Sequence, residues 1–268
     1  MAARLGCSGW SYPDWVGTFY PSGTPPGEFL RRYARVFDLA EVDSTYYRAP
    51  TVDQVQRWAD ETPDGFAFAV KVPGEVTHER RLVDVDEPLA AFLSTLRPLE
   101  ERRKLGPILA VLPPSLRRDD ATATRLDAFL AACARYRVAV ELRHPSWWVP
   151  DTRRLLERHR ATLVWSLNQH TDTPTWTTSD LVYVRLIGDR SITRFDKVQI
   201  DRRADIESLR DPIRRAIAES REMYLLVNNH FAGHAPATAE VAAEVLGLPR
   251  PDLGAAARVA GQRALGEF

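Results

Sequence analysis

Six charged side chains fall where alternation along short apolar segments turns them to one common side. In "VAVELRHPSWW" (138–148), Val138, Val140 and Leu142 alternate with Ala139, Glu141 and Arg143. A β-strand sends successive side chains to opposite faces, so one face here is apolar and the other is small or charged. The same rule sets Phe66, Phe68, Val70 and Val72 against Ala67, Ala69 and Lys71, and Ala40 and Val42 against Glu41 and Asp43. It also turns Arg185 to the same side as Tyr183, Asn228 to that of Leu226, and Ser8 to that of Gly6. A shared interior would then hold Glu41, Asp43 and Glu141 with Lys71, Arg143 and Arg185. Unpaired buried charge is costly, so a balanced set is what such an interior demands. Its chemistry would be proton transfer and anion binding. Glu141 or Asp43 is the expected general base and His144 the acid, with Lys71, Arg143 and Arg185 holding an anionic group.

Aromatic and histidine residues cluster around these segment ends. The loop "GWSYPDWVGTFYPSG" (9–23) carries Trp10 and Tyr12, and Trp147 and Trp148 follow Arg143. Trp10, Tyr12 and Trp147 are the expected stacking surfaces for a ring-bearing ligand, whereas Trp15 and Phe19 read as loop packing. His78, His144 and His230 each lie just past a strand end, where a group titrating near neutrality could transfer protons or simply bond to backbone. A divalent metal is possible on Asp43, Glu141 and His144 or His230. No ligand spacing supports it, and the three cations offer neutralisation without metal. Cys7 falls on the face opposite Ser8 and is a poor nucleophile candidate.

The elements that must carry these residues alternate strictly. Strands are predicted over 4–9, 39–43, 66–72, 107–112, 137–143, 161–166, 181–187 and 223–229. Helices are predicted near 26–36, 52–61, 87–97, 121–135, 151–159, 203–219 and 236–246, with a loop in place of the helix after the sixth strand. Alternation of this kind predicts a parallel sheet with helical crossovers. Eight units suit an α/β fold of the TIM-type (β/α)₈ barrel, whose sites lie at the C-terminal strand ends. The expected organisation is one barrel domain over 1–250 and a weakly held C-terminal tail over 251–268.

The bulk properties bound the partners. The 268 residues hold 36 basic and 36 acidic side chains, a balance that argues against nonspecific duplex binding. Two cysteines make no disulfide framework, and no apolar run is long enough to span a membrane. A cytoplasmic protein with no membrane partner is the expectation.

Seven ordered blocks, among them "GCSGWSYPDWVGTFYP", "AEVDSTYYRAPT", "FAFAVKVPGEVTHERRL", "VAVELRHPSWW" and "LLVNNHFAGHAPATA", resemble the domain-of-unknown-function 72 family, also called YecE-like, over about residues 5–247. The resemblance implies a TIM barrel and no settled reaction. It directs attention to Ser8, Trp10, Tyr12, Ser44, Tyr46, Lys71, His78, Glu141, Arg143, His144, Pro145, Trp147, Arg185, Asn228 and Asn229. Asp43 departs from the asparagine usual in that family block.

Three function classes fit these residues. The first is an enzyme acting on an anionic, stackable substrate, such as a phosphorylated sugar, a nucleotide or single-stranded nucleic acid, by phosphoester or phosphodiester hydrolysis. The second is a sugar isomerase or glycosidase using two carboxylates. The third is a non-catalytic module that binds a small anion.

Overall fold

The computed structural model describes residues 3–169, 172–188, 190–218 and 222–258. Eight parallel strands close into a barrel in chain order: β1 (Ala3–Ser8), β2 (Leu39–Val42), β3 (Ala67–Lys71), β4 (Leu105–Val111), β5 (Val138–Glu141), β6 (Thr162–Asn168), β7 (Leu181–Gly188) and β8 (Glu222–Val227). The ring closes where β1 pairs with β8, from Ala3 opposite Met223 to Cys7 opposite Val227.

Alternation along the strands divides the apolar residues into two bodies. Cys7, Ala40, Val42, Phe68, Val70, Val138, Val140 and Leu142 face outward and pack with helix residues such as Val55, Leu126, Phe129 and Leu156. Leu39, Ala67, Ala69, Leu109, Ala139, Tyr183, Tyr224 and Leu226 form a separate cluster inside the barrel. The alanines leave volume that the two tyrosines fill, their ring centroids 6.2 Å apart, as close packing requires.

Most crossovers are helical: α1 (Phe29–Tyr33), α2 (Val52–Glu61), α3 (Asp86–Thr95), α4 (Arg97–Glu101), α5 (Asp120–Ala132), α6 (Pro150–Arg158), α7 (Arg203–Glu207), α8 (Arg210–Ala218), α9 (Asn229–Ala232) and α10 (Ala235–Leu246). A reciprocal capping box starts α5: the Asp119 carboxylate accepts from Thr122 N at 2.7 Å, and Thr122 Oγ1 accepts from Asp119 N at 2.8 Å.

Several predicted boundaries move. The helix expected near 26–36 shortens to α1 after a 3-10 turn at Pro26–Glu28. The helix near 87–97 runs as α3 and α4, and the one near 203–219 as α7 and α8. Among the described residues no helix lies between β6 and β7. The segment leading into β7 is instead fastened by side chains. Thr178 Oγ1 accepts from Leu163 N and donates to Ala161 O, and Trp165 Nε1 donates to Trp176 O. The expected loose tail begins as packed structure: Leu253–Ala256 forms a 3-10 turn, Ala256 is buried, and its carbonyl accepts from Arg32 of α1. Residues 259–268 of that tail lie outside the described residues. No helix among the described residues is long and apolar enough to cross a membrane.

The β1–β2 seam has an unusual third party. The Tyr33 hydroxyl accepts from Cys7 N at 2.7 Å and donates to Leu39 O at 2.7 Å, standing between the strands. A Cβ on Gly6 would lie 2.0 Å from that same carbonyl oxygen, so only glycine permits the approach. Tyr33→Phe strips both backbone groups of their partner in a dry seam. It should cost about 1–3 kcal/mol of unfolding free energy in urea titration, with the barrel retained.

Candidate active site

At the C-terminal ends of the strands, three side chains from β2, β5 and β7 form one ionic unit. Arg185 donates from Nε to Glu41 Oε2 at 2.9 Å and from Nη2 to Glu41 Oε1 at 2.6 Å, while its Nη1 donates to Glu141 Oε2. Arg143, just beyond β5, donates from Nε to Glu141 Oε1 at 2.5 Å. The Tyr183 hydroxyl donates to Glu41 Oε2 at 2.9 Å. All four carboxylate oxygens are therefore taken. Glu41 and Glu141 are fully buried and Arg185 is 3% exposed. Burial alone would push the Glu141 carboxyl up, but the Arg143 and Arg185 guanidiniums outweigh it and hold the group down at about 2. Burial likewise disfavours the Arg185 cation, yet Glu41 and Glu141 raise its pKa.

Above this unit opens a cavity of about 370 Å³. Of the residues expected to bind or react, Tyr12, Asp43, Ser44, Lys71, Arg143, Arg185, Asn228 and Asn229 all line it. Tyr47, Ile187, Arg190, Phe195 and His230 line it as well. Lys71, the last residue of β3, has no hydrogen bond or ion pair among the described residues. Its Nζ lies 4.3 Å from the Tyr46 ring centroid. Burial, followed by the Arg185 charge, lowers its pKa to about 8. Asp43 likewise has no side-chain partner there, and burial together with the Glu41 carboxylate raises its pKa. The Nη atoms of Arg143 are also without a protein partner among the described residues.

The β1 and β8 ends contribute oriented polar groups. Asn229 Oδ1 accepts from Trp15 Nε1 at 3.1 Å and Ala235 N at 2.8 Å, which fixes its amide. Asn229 Nδ2 and Ser8 Oγ are then buried without partners. Tyr12 donates to Ser8 O, and the Asn228 carboxamide oxygen caps α9 by accepting from His230 N.

Other expected roles change with the geometry. Trp147 is fully buried and donates to Leu116 O at 2.9 Å. This corrects its reading as a stacking surface, because the turn at Pro145–Trp147 rotates the indole into the core. Glu141 reads as an anchor for two arginines, whose charges outweigh burial and disfavour its taking a proton. His144 does not line the cavity. Its Nδ1 accepts from Ser146 N at 3.1 Å, capping the turn that Pro145 begins. His78 stands edge-on to Tyr46, with Nδ1 bonded to Thr77 Oγ1 at 2.9 Å. Burial, then Lys71 and Arg143, drops its pKa to about 4, so its ring is neutral at pH 7. Trp10 packs edge-to-face on Trp58 and Phe68 and lines a neighbouring cavity. Among the described residues, no three His, Cys, Asp or Glu side chains gather to hold a metal ion. Cys7 is buried outside the barrel's interior, and burial pushes its thiol up.

Sequence reasoning passed over Arg190, Phe195 and Tyr47. The loop after β7 reaches the mouth because Asp14 Oδ2 accepts from Phe195 N at 2.8 Å, a tie 181 residues apart that no local pattern carries. Glu41, by contrast, was marked by the same alternation as its neighbours.

The family model "Protein of unknown function DUF72" matches residues 4–262. The chain belongs to the DUF72 family. Curated relatives include the UPF0759 protein YecE of Escherichia coli (strain K12), 31% identical over 145 residues, which cover 54% of this chain and 49% of that protein. The UPF0759 protein YunF of Bacillus subtilis (strain 168) is 29% identical over 154 residues, covering 54% and 52%. The match thus spans about half the length of each. Among solved structures, a DUF72 protein from Thermotoga maritima superposes with a TM-score of 0.78 at 28% identity, covering 89% of this chain and 96% of that one. A DUF72 protein from Enterococcus faecalis gives 0.76 at 23% identity, covering 92% and 96%. These DUF72 neighbours share the TIM-barrel fold.

Two stability outcomes follow from the charges. Arg185→Met leaves two buried carboxylates short of their main partner and should cost about 3–5 kcal/mol in urea unfolding. Lys71→Met should act in the opposite direction. A lysine whose folded pKa is below its unfolded value of 10.5 opposes folding most below pH 8, less between 8 and 10.5, and not above. The variant should therefore gain about 1–2 kcal/mol at pH 7, and the gain should vanish by pH 10.5 in the same titration.

Proposed function

We propose that the chain is an enzyme whose site is the mouth of this barrel and whose substrate carries a small anionic group, with phosphoester hydrolysis as the reaction. The observation that carries the reading is that arginine bonds to every Glu41 and Glu141 oxygen, while Lys71 Nζ and the Arg143 Nη atoms form no ion pair among the described residues. The two carboxylates and the two guanidiniums of the inner unit balance one another. On the cavity lining outside that unit, Lys71 and Arg190 outnumber Asp43, so an anion there gains from low dielectric and from donors already in place.

The groups around it fit a metal-independent displacement. The substrate phosphoryl group would sit between Lys71 and the free Arg143 nitrogens. Asp43, whose carboxyl is held above its ordinary pKa, would take a proton from the attacking water as its oxygen bonds to phosphorus. The ester P–O bond breaks, and Lys71, with a pKa near 8, gives its proton to the departing alcohol oxygen. His144 has no place in this scheme. A glycosidase using Asp43 and Glu141 is disfavoured because both Glu141 oxygens are bonded to arginine.

The test uses p-nitrophenyl phosphate and bis(p-nitrophenyl) phosphate with wild type, Lys71→Met and Asp43→Asn. Wild-type turnover should decline as pH rises through about 8, where Lys71 loses its charge. Each variant should lose about 10²-fold or more in kcat. Absence of wild-type turnover, together with no phosphate-dependent rise in Tm, rejects the proposal.

A further inference from the structure

The cationic cavity has a neighbour with a different lining. A second cavity of about 430 Å³ lies on the β1–β2–α2 side of the mouth. Tyr12, Asp43 and Ser44 line both cavities, so the two meet along one shared wall. The rest of the second lining includes Trp10, Trp58 and Gln54, with no cation among them.

Three features make this lobe a ring-binding surface. Trp10 is clamped edge-to-face by Trp58 at 5.7 Å and by Phe68 at 5.9 Å, so a ligand meets an indole that is already fixed. Gly9 adopts φ +87°, and its missing side chain lets the Tyr12 ring fold to within 3.1 Å of where a Cβ would be, which places that ring at the boundary between the lobes. The Gln54 amide has no side-chain hydrogen bond among the described residues, whereas that of Gln56 is engaged by Asp60. A free primary amide beside an aromatic face offers one donor and one acceptor to the edge of a flat heterocycle.

We infer that the ligand of this mouth is a nucleoside monophosphate, its phosphate among Lys71 and Arg143 and its base against Trp10 with the edge read by Gln54. The inference rests on the anion-binding reading above and adds the second lobe to it. A phosphorylated sugar without a base fills only the cationic side. A purine or pyrimidine ring gains stacking in the other, worth about tenfold or more in affinity.

Calorimetric titration with inorganic phosphate, ribose 5-phosphate, adenosine and adenosine 5′-monophosphate tests this. Wild type should bind adenosine 5′-monophosphate at least about tenfold more tightly than ribose 5-phosphate. Gln54→Leu, at a partly exposed helix position, should remove much of that preference while leaving phosphate affinity within about twofold, since it lies outside the cationic lobe. Trp10→Leu should remove more of it. Equal affinity for the nucleotide and ribose 5-phosphate, or a preference indifferent to both substitutions, overturns the two-lobe inference while phosphate binding still upholds the anion site. Failure of every phosphate-bearing probe to bind removes both readings together.

Discussion

A guanidinium held between two carboxylates in a dry interior governs this structure. Arg185 reaches Glu41 with two nitrogens and Glu141 with the third. None of the three tolerates burial alone, because desolvation of each ion is repaid only by the geometry of the group. The contact therefore fixes more than itself. It requires β2, β5 and β7 to present those residues at one level, which the parallel register must supply. It also requires small residues beneath, and Ala67, Ala69 and Ala139 leave room for Tyr183 and Tyr224 under the ionic layer. Glu141 then passes the constraint outward by holding Arg143 through Nε, which sets the direction of the remaining Arg143 nitrogens.

Internal balance at the deep layer shapes the field of the upper one. Since the inner carboxylates are bonded to their own arginines, they offset only part of what opposes the Lys71 charge. That half-buried ammonium is disfavoured by desolvation and the Arg185 charge, and favoured by the Glu41 and Asp43 charges and the Tyr46 ring face. The Asp43 carboxylate is disfavoured too, first by burial and then by the neighbouring Glu41 charge. Both groups are poorly solvated and lack partners, a condition that stability alone does not favour and that functional sites commonly maintain.

Much of this layout was legible in the strand alternation. A period of two separated outer from inner residues in β2, β3, β5 and β7, and the interior charges followed directly. The sequence could not reveal how those charges would pair. Glu141 reads as a base when only its type and position are known, and becomes an anchor once Arg143 and Arg185 are seen on its two oxygens. Trp147 shows the same limit differently: adjacency to Arg143 places it near the mouth, but a single 3-10 turn decides whether an indole faces ligand or core. His144 was drawn into that same turn as a cap. The contribution of Phe195 and Arg190 depends on a contact between the first and seventh loops, which local patterns do not encode. The short α9, begun by Asn228, was hidden for the opposite reason, being too brief to leave a periodic signature.

Between β6 and β7, where the described residues hold no helix, Thr178 and Trp176 fasten the segment entering β7 back onto β6 rather than through a packed amphipathic stripe. The chain thus divides into an early arc bearing Glu41 and Glu141 and a late arc bearing Arg185. Within the early arc Arg143 reaches Glu141, but Glu41 has its guanidinium partner only in Arg185. A dry interior therefore depends on the late arc, whose Arg185 ties the two arcs together as a latch.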